Sequence, residues 1–390
     1  MDERREPLPA EGGRPDRPKH RGLRRFLIFL AVLAAVLGVV ALAAWRDGTG
    51  FDALRRYFAY GTGSGGDAIR YEASASNCFA AVEGGIAILS DRELTVLDES
   101  GGQVCRLTVS LASPALDACN GRAVAYDVGG RELYVLDEKG EVASFEMNEE
   151  EPLIAATLNG KGWLAVTAEK QNYKACVSVY NAKMEKVFDF NSSRRFVSDA
   201  CVTDDCAYLA AVTLGQEDGT FVSNIVLYDL TQTEPVANYS VRDGLVTSIT
   251  QQSGKLVTVS DNKLTIADTA GQIAGEYSYG GAYLREYDCG GDGYTVLLLN
   301  RYQSGSVGRL VTVGTDGEEL ASLDVHEEVL SVSAAGRYVA VLYTDSLVVY
   351  NPDLQAYATL KGTGYAKEAL VRTDGSALLV ASESARLFLP

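Results

Sequence analysis

The stretch LYVLDEKG (133–140) has near copies in LTVLDESG (94–101), LTIADTAG (264–271) and LVTVGTDG (310–317), and weaker ones in VSVYNAKM (177–184), IVLYDLTQ (225–232) and LVVYNPDL (347–354). Each copy is a short run rich in β-branched and aromatic residues that stops at a turn, the pattern of a strand followed by a tight reversal. Aligned on the turn, the copies fall at Asp98, Asp137, Asn181, Asp229, Asp268, Gly314 and Asn351, in steps of 39, 44, 48, 39, 46 and 37 residues. The mean, about 42, is the length of a four-stranded propeller blade.

A second strand precedes each copy: GIAILS (85–90), RAVAYDV (122–128), WLAVTA (163–168), AYLAAVT (207–213), KLVTVS (255–260), YTVLLLN (294–300) and YVAVLY (338–343). We read these two as the inner pair of each blade. An eighth pair, ALLVAS (377–382) and ARLFLP (385–390), ends the chain with no outer strand after it, while IRYEA (69–73) stands unpaired at the other end. Joining the two closes the ring and removes an open sheet edge. Residues 69–390 number 322, about 40 per blade, so the sequence predicts an all-β propeller of eight blades, with seven as the alternative.

What precedes the repeats is different in kind. Residues 1–25 hold eight Lys/Arg, five acids and four of the nine prolines, a net +3 that leaves −20 for the rest of a chain whose total is −17. With almost nothing apolar to bury, this stretch reads as a flexible basic tail. Residues 26–45, FLIFLAVLAAVLGVVALAAW, carry no charge and are long enough as a helix to cross about 30 Å of hydrocarbon. Arg21, Arg24 and Arg25 abut the start of this run and Trp45 closes it. The positive-inside rule then predicts a plasma-membrane protein crossing once, with a cytoplasmic N-terminus, an extracytoplasmic C-terminal domain, and Trp45 at the outer interface. A second reading is a cleaved signal peptide, since Ala41-Leu42-Ala43 fits a cleavage site, but the run is longer than the usual h-region.

Residues 46–68 form a juxtamembrane segment. In FDALRRYFAY (51–60), aromatics beside Arg55 and Arg56 suit a short helix at the headgroup level or an ordinary surface helix. GTGSGG (61–66) matches a dinucleotide fingerprint in letters only, because no strand precedes it and no helix pattern follows; it reads as a linker.

Composition narrows the chemistry. An acidic chain with no basic cluster in its repeats does not suit nucleic acid. Its two histidines leave little for metal or acid–base work, and there is no G-x-S-x-G elbow or phosphate loop. No catalytic, metal or cofactor residue is assigned. The seven cysteines (78, 105, 119, 176, 201, 206 and 289) include no C-x-x-C and mostly sit in strand patterns; whether Cys201 and Cys206 pair across a turn is left open. Asp288 and Asp292 in DCGGDG faintly suggest a calcium loop, with a Gly-Asp turn as the default.

The segments LYVLDEKGEV (133–142) and LTVLDESGGQV (94–104) resemble the strand–turn–strand of PQQ-like and WD40-like propellers. With the basic tail, single span and acidic repeats, the layout from about residue 20 to 390 resembles an uncharacterised family of bacterial single-pass membrane proteins, domain of unknown function 5711. That resemblance implies a propeller and a single-pass topology, and no activity. The ring has only Trp163 and lacks the Gly-His and Trp-Asp pairs of WD repeats, so no quinone cofactor is carried over.

The irregular positions are the loops between the paired strands. They lengthen at 168–175, 214–223 and 300–307, and each long loop holds one aromatic: Tyr173, Phe221 or Tyr302. Blade-joining loops open on the same face of a propeller, adding Glu149, Glu150 and Glu151, the bases Arg194 and Arg195, and His326. Aromatics beside Arg are enriched at interfaces. The expected function is a binding or scaffold module for a protein or cell-envelope polymer, using Tyr173, Phe221, Tyr302, Arg194, Arg195 and His326. The competing reading is a small-ligand sensor or enzyme working in the central channel.

Overall fold

The computed structural model describes residues 21–46, 52, 56–57 and 68–390, the last without 73, 75–76, 83–84, 99–101, 218 and 243. It divides into two units, Met1–Ala53 and Leu54–Pro390. In the first, one helix runs Arg21–Arg46, so it begins five residues before the apolar run and takes in the flanking arginines. Its side chains are described over 25–39, and all are exposed. That portion rises only about 22 Å at 1.5 Å per residue. Among the described residues no helix is long and apolar enough to cross a membrane. The expected span over 26–45 lies within this helix, but the side chains of 40–45 are outside the described set, and the basic tail before Arg21 and the glycine linker at 61–66 lie outside the described residues altogether.

The second unit holds eight four-stranded antiparallel sheets. Seven use consecutive strands, as in blade 1 (Cys78–Val82, Gly85–Leu89, Glu93–Asp98, Gln103–Thr108). Blade 8 takes Glu368–Val371, Ala377–Val380 and Ser384–Phe388 from the C-terminus and Ile69–Arg70 from the other end. Ile69 pairs with Ala385 and Arg70 with Ser384, which closes the ring at eight blades as expected.

Eight apolar clusters each join two neighbouring blades, the last joining blade 8 to blade 1 through Ile69, Ile86, Ile88, Leu97, Leu378, Val380 and Ala385. Strands covered on both faces therefore read as unbroken apolar runs. Gly85–Leu89, Leu164–Ala168 and Tyr294–Asn300 are buried at every position, while the outermost Gln103–Thr108 and Ala356–Lys361 expose residues at intervals.

This corrects one expectation. The recurrent pair is the middle pair of each blade. The innermost strands are Cys78–Val82, Pro114–Cys119, Leu153–Leu158, Phe196–Val202, Val246–Gln252, Tyr283–Asp288, Val329–Ala335 and Glu368–Val371.

The repeated turn joins the third and outermost strands, and an Asx side chain builds it. Lys139 N donates to Asp137 Oδ1 (2.7 Å), Lys183 N to Asn181 Oδ1 (2.9 Å), Thr231 N to Asp229 Oδ1 (2.8 Å) and Ala270 N to Asp268 Oδ1 (3.0 Å). In blade 6, where Gly314 takes the aligned position, Asp316 Oδ1 accepts from Glu318 N instead (3.1 Å).

All seven cysteines are free, so Cys201 and Cys206 do not pair. Cys201 lies opposite Ala210 in the ladder, while Cys206 sits in the turn that follows its strand. Burial pushes the Cys119 and Cys289 thiols up, to about 11 and about 12, which makes these two inert apolar groups at neutral pH.

Antiparallel order gives the ring two faces. The hairpins between second and third strands open with the blade-joining loops on one, here the hairpin face. The remaining turns lie on the other, the turn face. The chain enters the ring from the turn face, and there Arg56 is 6% exposed. Its guanidinium donates to the Asp374 carbonyl, to Tyr357 Oη (2.7 Å) and to the Pro390 carbonyl (3.4 Å), and lies 5.7 Å from the centre of the Tyr357 ring. Asp374 is in the first turn of blade 8, Tyr357 is on the outermost strand of blade 7, and Pro390 is the last residue. Arg56 is thus a clasp across the closing blade, not a residue resting at the headgroup level.

Arg56→Ala leaves a buried carbonyl without its donor, which costs about 1–3 kcal/mol. Urea denaturation of the full chain is expected to show a lower midpoint for Arg56→Ala than for the parent, with an unchanged dependence on denaturant. Identical midpoints would show that the clasp adds nothing.

Candidate binding face

The hairpin face carries the ring's irregularities. In blade 3 the second and third strands are joined by residues 169–174, and in blade 6 by 301–307. Blade 4 departs from expectation, because its two strands are longer and the loop is not. Tyr208–Glu217 and Thr220–Asp229 are ten residues each, and the turn between them includes Gly219. The flanking strands stop pairing at Leu214 and Ser223, so the hairpin extends about 10 Å beyond its own blade. Gly219, at φ +83°, supplies the left-handed residue this reversal needs.

Two arginines brace the hairpin from opposite sides. Arg195 Nη2 donates to Glu217 Oε1 (2.7 Å) and Arg242 Nη2 to Oε2 (3.2 Å). The hydrogen bond from Arg195, with help from Arg242, holds the Glu217 carboxyl below the usual range. Gly215 makes room for the guanidinium, since a Cβ there would come within 2.9 Å of Arg195 Nη1.

Exposed apolar side chains surround this hairpin. Phe221, opposite Gln216 in the ladder, is 76% exposed; Phe196 and Leu245, at the starts of blades 4 and 5, are 58% and 48% exposed. Tyr173 in the blade 3 loop is also exposed, with Lys170 Nζ 5.9 Å from its ring centre. Lys174 Nζ lies 5.0 Å from the Phe196 ring and links the blade 3 loop to blade 4. The structure thus groups Tyr173, Arg195 and Phe221 over blades 3 and 4, with exposed Arg194 beside them. Tyr302 is exposed on the blade 6 hairpin next to Arg301, and His326 is exposed between blades 6 and 7.

Sequence reasoning missed Phe196, Leu245, Lys174, Glu217 and Arg242. Phe196 carried a usable signal, an aromatic placed between Arg195 and the strand VSDACV. Away from the hairpin face, the ring's exposed large apolar residues Val187, Val236, Ile273 and Leu320 lie on outermost strands. Among the described residues none lies in a turn of the opposite face.

The channel wall has a different chemistry. Asp117, Asp199, Glu286, Asp288 and Glu368 sit on the innermost strands of blades 2, 4, 6 and 8, whose inner edges have no neighbouring strand. Most of these carboxylates accept an amide N–H from the next blade. Leu158 N donates to Asp117 (2.9 Å), Ile249 N to Asp199 (3.0 Å), Val332 N to Glu286 (3.0 Å) and Ala334 N to Asp288 (2.8 Å). Asp288 also takes Gly290 N (2.7 Å), so it serves a turn and a blade junction. Among the described residues no group of acids, histidines and cysteines is placed to hold a metal ion.

Residues 60–357 match a family of unknown function, DUF5711. The chain belongs to that family. The match runs from before Ile69–Arg70 through blades 1–6 and ends at the start of the outermost strand of blade 7. No curated protein matches the DUF5711 chain. Among solved structures it is similar to the computationally designed Ika8 protein, at 12% identity and TM-score 0.60, over 84% of this chain and all of that one. It is also similar to the C-terminal WD40 domain of Sif2, at 14% identity and TM-score 0.56, over 83% and 99% of the two chains. It is likewise similar to a eukaryotic initiation factor, at 12% identity and TM-score 0.54, over 82% and 87% of the two chains. At such identities these likenesses show the propeller fold of the DUF5711 chain and nothing more.

Burial pushes the Asp199 carboxyl up to about 7 against the amide bonds that pull it down. It does the same for Glu368, up to about 7, with Glu286 adding to the effect. Both values lie above the roughly 4 of an unfolded chain. Their contribution to stability is therefore full below about pH 4 and is lost as pH rises through about 7. Glu368→Gln is expected to raise the thermal midpoint at pH 8, to leave it nearly unchanged at pH 4, and so to flatten the slope between. Parallel pH profiles for variant and parent would remove Glu368 from this account.

Proposed function

We propose that this DUF5711 chain is a membrane-tethered extracytoplasmic scaffold that binds a protein partner through the crest of blades 3–5. The observation that carries the reading is the clustering of exposed apolar side chains over neighbouring blades on the hairpin face. Phe221, Phe196, Tyr173 and Leu245 crowd one region of the hairpin face, and Arg194 and the Glu217 brace stand among them. An apolar centre with a charged rim is the anatomy of a protein interface. A polypeptide fits this surface better than a polymer of polar units. The reading includes no catalytic step, because most channel carboxylates already accept backbone amides.

The tether rests on the sequence: an uncharged run at 26–45 with a net-positive tail before it and an acidic ring after it. The described side chains 26–39 are uniformly apolar and exposed, as lipid contact requires. Because the chain enters the ring at the turn face, the crest is presented on the opposite face.

A photoactivatable residue at Phe221 in living cells is expected to give a discrete adduct that is absent when it is placed at Val236 on the flank. Phe196→Ala, Phe221→Ala and Tyr173→Ala together should abolish that partner's recovery with the thermal midpoint unchanged. Full recovery by the triple variant would rule out the crest. On intact cells, a membrane-impermeant amine label should modify the ring and spare a tag at the N-terminus, and the mature chain should keep its full mass. The reverse labelling, or a mass beginning near residue 44, would overturn the tether.

A further inference from the structure

The innermost strands carry several acids but a single base, Arg285 in Tyr283–Asp288 of blade 6. Its position comes from a break in the ladder. Leu284 pairs with Leu299 and Glu286 with Leu298, so Arg285 is the extra residue of a β-bulge and has no partner across the sheet. Bulges re-aim a side chain out of the regular alternation. Here the guanidinium reaches a cleft of about 400 Å³ at the channel mouth, between blades 6 and 7. Arg285 is exposed and makes no ion pair among the described residues.

The cleft has a built wall. Asn300 is 5% exposed and its Nδ2 donates to the Gly305 carbonyl (2.9 Å), while Arg301 N donates to the Val307 carbonyl (3.0 Å). These bonds pin the blade 6 hairpin, with Gly305 at φ +139°, and hold Gln303, Ser304 and Ser306 along one rim. Glu328 lines the cleft from the blade 7 side.

We propose that this cleft binds an acidic sugar, a uronic acid unit, whose carboxylate is held by Arg285. A guanidinium fork matches a carboxylate with two parallel hydrogen bonds. The amide and hydroxyls of Gln303, Ser304 and Ser306 suit sugar hydroxyls as donors and acceptors, and Glu328 suits them as an acceptor. Glu328 also selects among anions: a second negative charge close by disfavours a phosphate dianion more than a carboxylate monoanion. The site is separate from the blades 3–5 crest, and the failure of either leaves the other standing.

The test is calorimetric titration of the purified full chain with a galacturonate trimer, and with its neutral methyl ester as the comparison. Binding is expected for the acid and to be weaker by roughly tenfold or more for the ester, the loss that one charge-assisted contact carries. Arg285→Gln should lose binding by a similar factor at an unchanged thermal midpoint, and Arg285→Lys should recover part of it. No binding at millimolar trimer, equal binding of the ester, or unchanged binding in Arg285→Gln overturns the assignment. So does inorganic phosphate that displaces the trimer at equal concentration.

Discussion

The ring depends on a very short pairing. Two residues from one end of the repeat region, Ile69 and Arg70, are all that the fourth strand of blade 8 contributes, and without them that sheet would present an open edge. The pairing gains support from its surroundings. Tyr71 Oη donates toward the Ala381 and Ser384 carbonyls (2.6 and 3.0 Å), and Ile69 enters the core shared by blades 8 and 1. Arg56 then ties the incoming chain to blade 7, to the first turn of blade 8 and to the C-terminal residue. Closure is thus spread over strand, side chain and core, each bringing together residues about 300 positions apart. A fold dominated by such long-range pairing gains little until late in folding, so its last contacts carry unusual weight.

The same geometry explains the acids in the channel. A propeller leaves the inner edge of every innermost strand without a strand partner, and buried amides there must find acceptors. In this chain carboxylates supply many of them, on alternating blades, and Ser331 and Ser333 do so for blade 8, accepting from Ala369 N (2.9 Å) and Val371 N (3.2 Å). The cost is visible in the raised Asp199 and Glu368 carboxyls, since burial opposes the charge that makes a good acceptor. Acids that converge on a channel resemble a catalytic constellation, yet here most are engaged in holding one blade to the next.

Legibility in the sequence followed burial. The second and third strands are covered on both faces and show as unbroken apolar runs, and the Asx turns after them gave the period, so blade number and closure could be read. The innermost strands could not, because YLREYD and VTSITQQ satisfy amides or face the channel and have the composition of loops. Blade 4 misled for a related reason. Gly215, Gln216 and Glu217 are loop-like residues, but pairing with Val222, Phe221 and Thr220 keeps them in the ladder. The Arg56 clasp had no local signature at all, since its partners lie about 300 residues or more away.

The two faces divide the work physically. On the turn face the recurring elements are reversals fixed by Asp and Asn, with the incoming chain clasped there through Arg56; such turns are short and, among the described residues, leave no large apolar side chain of the turn itself exposed. On the hairpin face no repeated turn chemistry constrains length, so blades 3, 4 and 6 lengthen, each by a different device: a six-residue loop, an extended ladder, and a glycine-bearing hairpin pinned by Asn300. Insertions are tolerated where backbone groups can reach water, but tolerance alone predicts polar tips. Placing Phe221 and Phe196 at the exposed end of a braced ladder instead costs solubility at a site held rigid by Glu217. Preorganised apolar surface of that kind lowers the ordering cost of association, so the partner proposed above would gain more from the crest than from the channel.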